Sequence, residues 1–192
     1  MVRYFFYIFI SFIVLIALYL TIFELLLHNF HFSFNAEIEK PFVHSTIWRY
    51  LLHQKYITFI ELDLLTIHEK RHLLDVKRVL NETFTLWIIF TPLAIFILTI
   101  FFRKIVKIMV QFGVALNSLF LLLSFNFLNY FEFFHTLFFR DKSWIFFNDS
   151  LLIEAFPLIY FQEFFIFFLL LTSLSFFVFL KVGLKYINII KE

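Results

Sequence analysis

Cysteine is absent from this chain. No disulfide can brace the fold, no thiolate can serve as nucleophile, and no zinc–sulfur centre can form. Proline is rare, with Pro41 early in a polar segment, Pro92 in the middle of an apolar run and Pro157 just before another. Charge is sparse too: 16% of 192 residues are Asp, Glu, Lys or Arg, for a net charge of +2. No nucleic-acid partner is expected of such a chain. What fills the space is apolar. Hydrophobic residues make up 62% and mean hydropathy is +0.92, against roughly 45–50% apolar residues in soluble domains. The 35 phenylalanines read as a compositional bias at lipid-facing positions, because Phe inserts into a membrane about as well as Leu.

Four runs, residues 4–27, 84–102, 105–128 and 158–180, each supply the ~20 apolar residues needed to cross ~30 Å of hydrocarbon. The expected fold is an all-α integral membrane protein with four spans, forming one domain over residues 1–192. The first run follows Arg3, is too long for a signal peptide and lacks a small-x-small cleavage site, so it reads as a retained helix. Glu24, in its last turn, is expected to snorkel toward interfacial water. Pro92 is tolerable inside a span, where neighbouring groups satisfy the freed carbonyl. Arg103, Lys104 and Lys107 imply a very tight turn and an antiparallel hairpin. Gln111, Asn117 and Asn126 are placed for interhelical hydrogen bonds of ~1 kcal/mol or less each.

Orientation follows from the bases. Arg3, the 103–107 turn and the C-terminal tail hold seven bases and one acid in short segments, whereas the longer loops hold nine bases and eleven acids. The positive-inside rule then puts both termini and the tight turn in the cytoplasm. Loops 28–83 and 129–157 share the outer, extracytoplasmic face.

The first outer loop carries six of the seven histidines and is long enough for a small subdomain. Residues 46–52 and 61–80 read as helical, and 56–62 (YITFIEL) as a short strand. The second loop brings Glu132 and His135 together at i,i+3 among phenylalanines, the pattern of an interfacial or re-entrant helix. Trp144 reads as an interface anchor. Asp149 or Ser150 can cap a short helix over 150–156, which Pro157 ends.

Within TIHEKRHLLDVKRVL (66–80), a helix puts His68, His72, Asp75 and Val76 on one side. Asp75 can hydrogen-bond His72 and fix its tautomer, while Arg71 competes for the same carboxylate. A solvated amphipathic helix has the same spacings. His68-Glu69-Lys70-Arg71-His72 also fits H-E-x-x-H, which in zincins puts two imidazoles on zinc with the glutamate as base. The third ligand of such a zinc-dependent membrane hydrolase would come from His135, Asp75 or Glu132. Haem is disfavoured, because all seven histidines fall outside the four runs and bis-histidine haem wants ligands on facing helices. A non-catalytic scaffold or assembly protein is a further reading; it expects His72 and His135 more than ~8 Å apart, beyond one direct and one water-mediated hydrogen bond.

Two motifs resemble a family. Phe131-x-x-Phe134-His135-x-x-Phe138-Phe139, then Trp144, Ser150-Leu-Leu-Ile153 and Pro157, with Glu69-x-x-His72-x-x-Asp75-Val76-Lys77 upstream, is similar to a bacterial four-helix membrane family that includes the lipoprotein intramolecular transacylase. The resemblance implies a multi-pass acyltransferase of the cytoplasmic membrane with its active face outside. Its substrate would be a lipoprotein whose N-terminal cysteine carries a diacylglyceryl group. The sn-2 acyl chain would move to that cysteine's α-amino group, giving a lyso-form lipoprotein. His72 and His135 would be catalytic, with Asp75, Glu69 and Glu132 orienting or supporting them. Imidazoles titrating near neutrality suit that proton transfer, and neither cofactor nor metal is called for. In that family pattern His68 is not a fixed position, so the H-E-x-x-H match reads as accidental.

Overall fold

The computed structural model describes residues 2–35, 40–52, 64–139, 143–147 and 149–188. The expected strand over 56–62 lies outside the described residues. Every regular element among those described is helical: α1 (Val2–Asn29), α2 (Pro41–Leu52), α3 (Ile67–Ser124), α4 (Phe127–Phe138), α5 (Leu151–Ala155) and α6 (Leu158–Asn188). With α1, α3 and α6 long and apolar enough to cross a membrane, this is an all-α membrane fold. The chain divides into two compact units, one of Met1–Leu26, Phe84–Leu123 and Ile166–Glu192, the other of Leu27–Thr83 and Ser124–Phe165.

In the first unit, the backbone stays helical straight through Arg103, where a break into two helices is expected from the sequence. Its path nevertheless turns back. The Trp87 indole donates to Thr21 and the Phe101 ring meets Tyr7, yet Phe112 meets Phe12 and Asn117 meets Tyr19. A straight helix would separate residues 87 and 117 by ~45 Å, whereas Tyr19 and Thr21 are two residues apart. Residues 84–102 therefore run against α1 and residues 105–123 run along it. Ile105 and Met109, just past the reversal, are fully buried in a core with Val14, Leu15, Ile97 and Phe176.

Several polar groups inside this unit find partners on their own or neighbouring helical turns, as an apolar solvent favours. Ser11 and Thr21 hydroxyls donate one turn back, to the Tyr7 and Ala17 carbonyls. Asn117 joins three helical stretches: it accepts from Tyr19 at 2.7 Å and donates to Thr172 and Ser173 at 2.9 Å. Of the other two polar residues in that stretch, Gln111 is exposed and Asn126 stands at the start of α4. Glu24 does not reach outward: it is only 6% exposed, on the helix face it shares with buried Leu27 three residues on.

The second unit gathers both polar loops. Pro41 opens α2, where its missing N–H costs nothing. Ile47, Tyr50 and Leu51 of α2 pack with Leu73, Leu152 and Ala155. Lys77 staples α3 to α2, its ammonium 2.8 Å from the Tyr50 carbonyl and 4.0 Å from that ring's centre. The start of α6 holds the chain after α1. Tyr160 donates to the Phe30 carbonyl at 2.6 Å, and the Glu163 carboxylate accepts from Ser33, Phe34 and Asn35.

Close packing makes one glycine indispensable. A Cβ at Gly113 would collide with the buried Phe176 ring. Gly113→Ala should lower the thermal stability of detergent-purified protein by about 1–3 kcal/mol, and Phe176→Leu should recover part of the loss.

Candidate functional site

Glu69 is where the site begins. Thr66 and Glu69 form a capping box: the Glu69 amide donates to Thr66 Oγ1 at 3.3 Å, and Glu69 Oε2 accepts from the Thr66 amide and hydroxyl at 2.8 Å each. The other oxygen, Oε1, accepts from Ser150 Oγ at 2.6 Å and from the Leu152 amide at 3.3 Å. Ser150 is in turn the N-cap of α5, accepting from the Leu152 amide, as the sequence leads one to expect of Asp149 or Ser150. One carboxylate thus caps the first turns of two helices. Burial pushes its pKa up, but the hydrogen bonds from Ser150, Thr66 and Leu152 outweigh that and hold it below the usual range.

Two further bonds tie the polar start of α3 to the same segment. Asp75 accepts from Ser143 Oγ at 3.2 Å, and His68 donates to the Ile145 carbonyl at 3.2 Å. Residues 143–144 form a turn and 145–147 are irregular, and Trp144 and Phe146 stand beside the histidines. Trp144 lies with its ring 5.2 Å from His135, not as an isolated interface anchor, and Phe146 lies 5.4 Å from His72.

His72, one turn beyond Glu69, and His135, in the last turn of α4, face one another. Their ring centres are 6.1 Å apart and their planes 26° from parallel. That is inside the ~8 Å within which one direct and one water-mediated bond can serve a common atom. Phe139 closes one side, 4.9 Å from His72 and 5.2 Å from His135, and the Phe131 ring lies 4.0 Å from that of His135, tilted by 44°. Both histidines are buried, at 8% and 9% exposure.

The two rings differ in their bonds. His135 Nδ1 lies 2.7 Å from the Phe131 carbonyl; a carbonyl only accepts, so Nδ1 carries the proton and Nε2 keeps its lone pair in the neutral ring. His72 Nδ1 is buried with no hydrogen-bond partner, which in a native site calls for a reason. Burial lowers the pKa of His72 to about 4, helped by His135 and His68 and opposed by the Asp75 carboxylate. His135 is lowered by burial as well, against the supporting bond to Phe131. Near neutral pH both rings are uncharged.

The supporting acids sit elsewhere. Asp75 bonds Ser143 and pairs with Arg78 at 3.6 Å, leaving no hydrogen bond to His72. Glu132 is exposed, and the partner of His135 is the Phe131 carbonyl instead. Glu69, the general base of the zincin reading, is committed to its two caps. No three His, Asp or Glu among the described residues are grouped to hold a metal ion.

Sequence reasoning passed over Ser143, Phe146 and His44. Ser143 follows Asp141 and Lys142 with no spacing to mark it. His44 is buried; its Nδ1 donates to the Ala155 carbonyl at 2.8 Å and its ring stacks on Phe156 at 4.5 Å, fastening α2 to the end of α5. Burial lowers its pKa, opposed by the Ala155 bond.

The chain's sequence matches the family model described as lipoprotein intramolecular transacylase Lit over residues 1–161. It belongs to the Lit family. Among solved structures it is similar to the membrane integral lipoprotein intramolecular transacylase Lit from Bacillus cereus, crystallised in meso. That match has a TM-score of 0.69 at 17% sequence identity and covers 94% of this chain and 97% of the other. No curated protein sequence matches the chain. The Lit assignment thus rests on most of the chain, and both histidine-bearing helices fall inside the matched residues.

Two predictions concern the site's supports. Glu69→Ala should cost about 1–3 kcal/mol of stability and Ser150→Ala about 1 kcal/mol, and the double variant should cost less than their sum because the two share a bond; thermal unfolding in detergent measures all three. Because the folded-state pKa of His72 is depressed, stability is full above the unfolded value near 6.5 and is lost as pH falls through about 4. Melting temperatures across that window should drop, and His72→Gln, which cannot take up the proton, should flatten the drop.

Proposed function

We propose that this Lit-family protein is an active lipoprotein intramolecular transacylase, with His72 and His135 as its catalytic pair. The observation that carries the reading is the 6.1 Å separation of two buried, neutral imidazoles inside a ring of aromatic side chains. The substrate is a membrane lipoprotein whose N-terminal cysteine carries diacylglycerol through a thioether.

The reaction starts with an α-ammonium, whose ordinary pKa is ~8. Entry into an apolar site disfavours its charge, as burial disfavours that of the histidines, so it sheds one proton on binding. The free amine then attacks the sn-2 ester carbonyl. A C–N bond forms, the ester C–O bond breaks, the amine's second proton leaves and the glyceryl oxygen takes one up. His135 is the better base, because the Phe131 carbonyl supports its Nδ1–H when Nε2 takes the proton. It then returns that proton to the departing glyceryl oxygen. His72, held neutral, donates a hydrogen bond to the tetrahedral oxyanion; the substrate supplies the partner that its ring lacks in the structure. Asp75 and Glu69 act through the segment carrying Trp144 and Phe146. No serine or cysteine nucleophile is needed.

In this reading residues 1–192 work as a single membrane domain. The reversal near Arg103 makes four crossings of the bacterial cytoplasmic membrane, with both termini inside. Charge supports that topology: the described residues of the first unit carry Arg3, Arg103, Lys104, Lys107, Lys181 and Lys185 against Glu24 alone. Loops 28–83 and 129–157 then face the extracytoplasmic side, with α4 as the interfacial helix.

Mass spectrometry of a model lipoprotein's N-terminal peptide, with this gene expressed or deleted, tests the reaction. One acyl chain should shift from glycerol to the amine. His72→Ala and His135→Ala should each reduce turnover by at least about 100-fold while the protein still elutes as folded. Full activity in either variant, under conditions where chemistry limits the rate, would refute the two-histidine site.

A further inference from the structure

His68 is the one histidine of the H-E-x-x-H match with no part in the proposed reaction. It stands one turn before His72, is itself exposed, and donates from Nε2 to the Ile145 carbonyl at 3.2 Å. Its ring lies 5.1 Å from that of Phe146, which in turn covers His72. Three residues past His72, Asp75 reaches the same segment through Ser143, also at 3.2 Å. Two residues that flank His72 on α3 thus hold residues 143–147 against the histidine pair.

What they hold is a cover. Trp144 lies 5.2 Å from His135 and Phe146 5.4 Å from His72, whereas Ile145 and Phe147, alternating with them, are 51% and 87% exposed. A substrate's reacting atoms must come within ~3 Å of the ring nitrogens, yet both imidazoles are buried. Phe131 and Phe139 belong to α4 and its C-cap. Of the covering side chains, Trp144 and Phe146 are the two that no helix carries.

The attachments of this segment are unequal. On one side Ser150 donates to the buried Glu69 carboxylate at 2.6 Å and caps α5, and a short bond to an ionised acceptor is a strong one. The bonds from His68 and Asp75 are longer, and Asp75 divides its charge with Arg78. Bonds that water can replace contribute little net. They release first.

We propose that residues 143–147 form a lid over the histidine pair, hinged at Ser150 and latched by His68 and Asp75, which swings away to admit the lipidated N-terminus of the substrate. His68 is then a positioning residue. The substrate brings acyl chains of its own, so the opened Trp144 and Phe146 meet lipid in place of water. What the lid admits rests on the transacylase reading; that it opens does not.

Because the chain has no cysteine, a single introduced thiol reports the opening. His135→Cys in the full detergent-purified chain is reacted with N-ethylmaleimide, with and without His68→Ala/Ser143→Ala; His72→Cys repeats the measurement where the first variant does not fold. Each lost bond is worth about fivefold in the opening equilibrium, so the unlatched protein should react at least about tenfold faster. Ile47→Cys, fully buried on α2, should react equally in both backgrounds. Rates at the histidine positions that stay within about twofold on unlatching would overturn the lid, and so would an equal rise at position 47, the mark of general loosening. Joined by a short bis-methanethiosulfonate reagent, Asp75→Cys/Ser143→Cys should lose transacylation at least about tenfold and regain it on reduction; turnover that ignores the cross-link would overturn the proposal. Absence of transacylation in the unaltered protein would refute the reaction instead, and the thiol rates would still decide the lid.

Discussion

The geometry of the histidine pair depends on one buried carboxylate. Ionised, the Glu69 side chain would cost several kcal/mol to take out of water if left without partners. Here two hydroxyls and two backbone amides surround it, and those amides belong to the first turns of different helices. The charge therefore stays buried only while α3 and α5 keep their relation. His72 lies one turn along α3, so its position follows from that of Glu69. The segment between α4 and α5 is fixed at its far end by Ser150 and nearer α4 by Asp75 and His68, and so Trp144 and Phe146 follow too.

This changes the meaning of the E-x-x-H-x-x-D pattern. Read as helical spacing, it suggests an acid orienting a histidine on the same face. In the structure the two acids reach across to Ser150 and Ser143 of the other loop, and the histidine between them reaches into the site. The histidine itself has no polar partner on its own helix. What orients it is aromatic packing, chiefly Phe139 and Phe146.

Much of the architecture was legible because it rests on local rules. Long apolar runs give α1, α3 and α6, and Ser150 and Pro157 bound α5; pairing His72 with His135 took the family resemblance, because spacing relates no residue of one loop to the other. Other features were hidden for identifiable reasons. The bases at 103–107 marked the reversal itself, but with no proline or glycine there nothing showed that the backbone would stay helical through it. Glu24 looked like a residue at a helix end because hydropathy says nothing about which face is packed. Asp75 has two possible partners within one turn, and spacing does not show that a serine 68 residues away takes its oxygen. His44 was one of six histidines in a polar stretch, and burial alone distinguishes it.

The aromatic ring around the two imidazoles has a consequence for fidelity. An ester carbonyl activated for attack by an amine is activated for attack by water as well, so a site for acyl transfer to nitrogen gains from keeping water out. Phe131, Phe139, Trp144 and Phe146 offer a water molecule almost no hydrogen-bonding partners, whereas an amine carried on the same lipidated residue arrives with its apolar chains already paying for entry. For the proposed transacylation, the same packing that keeps the histidines neutral would favour acyl transfer to nitrogen over loss as free fatty acid.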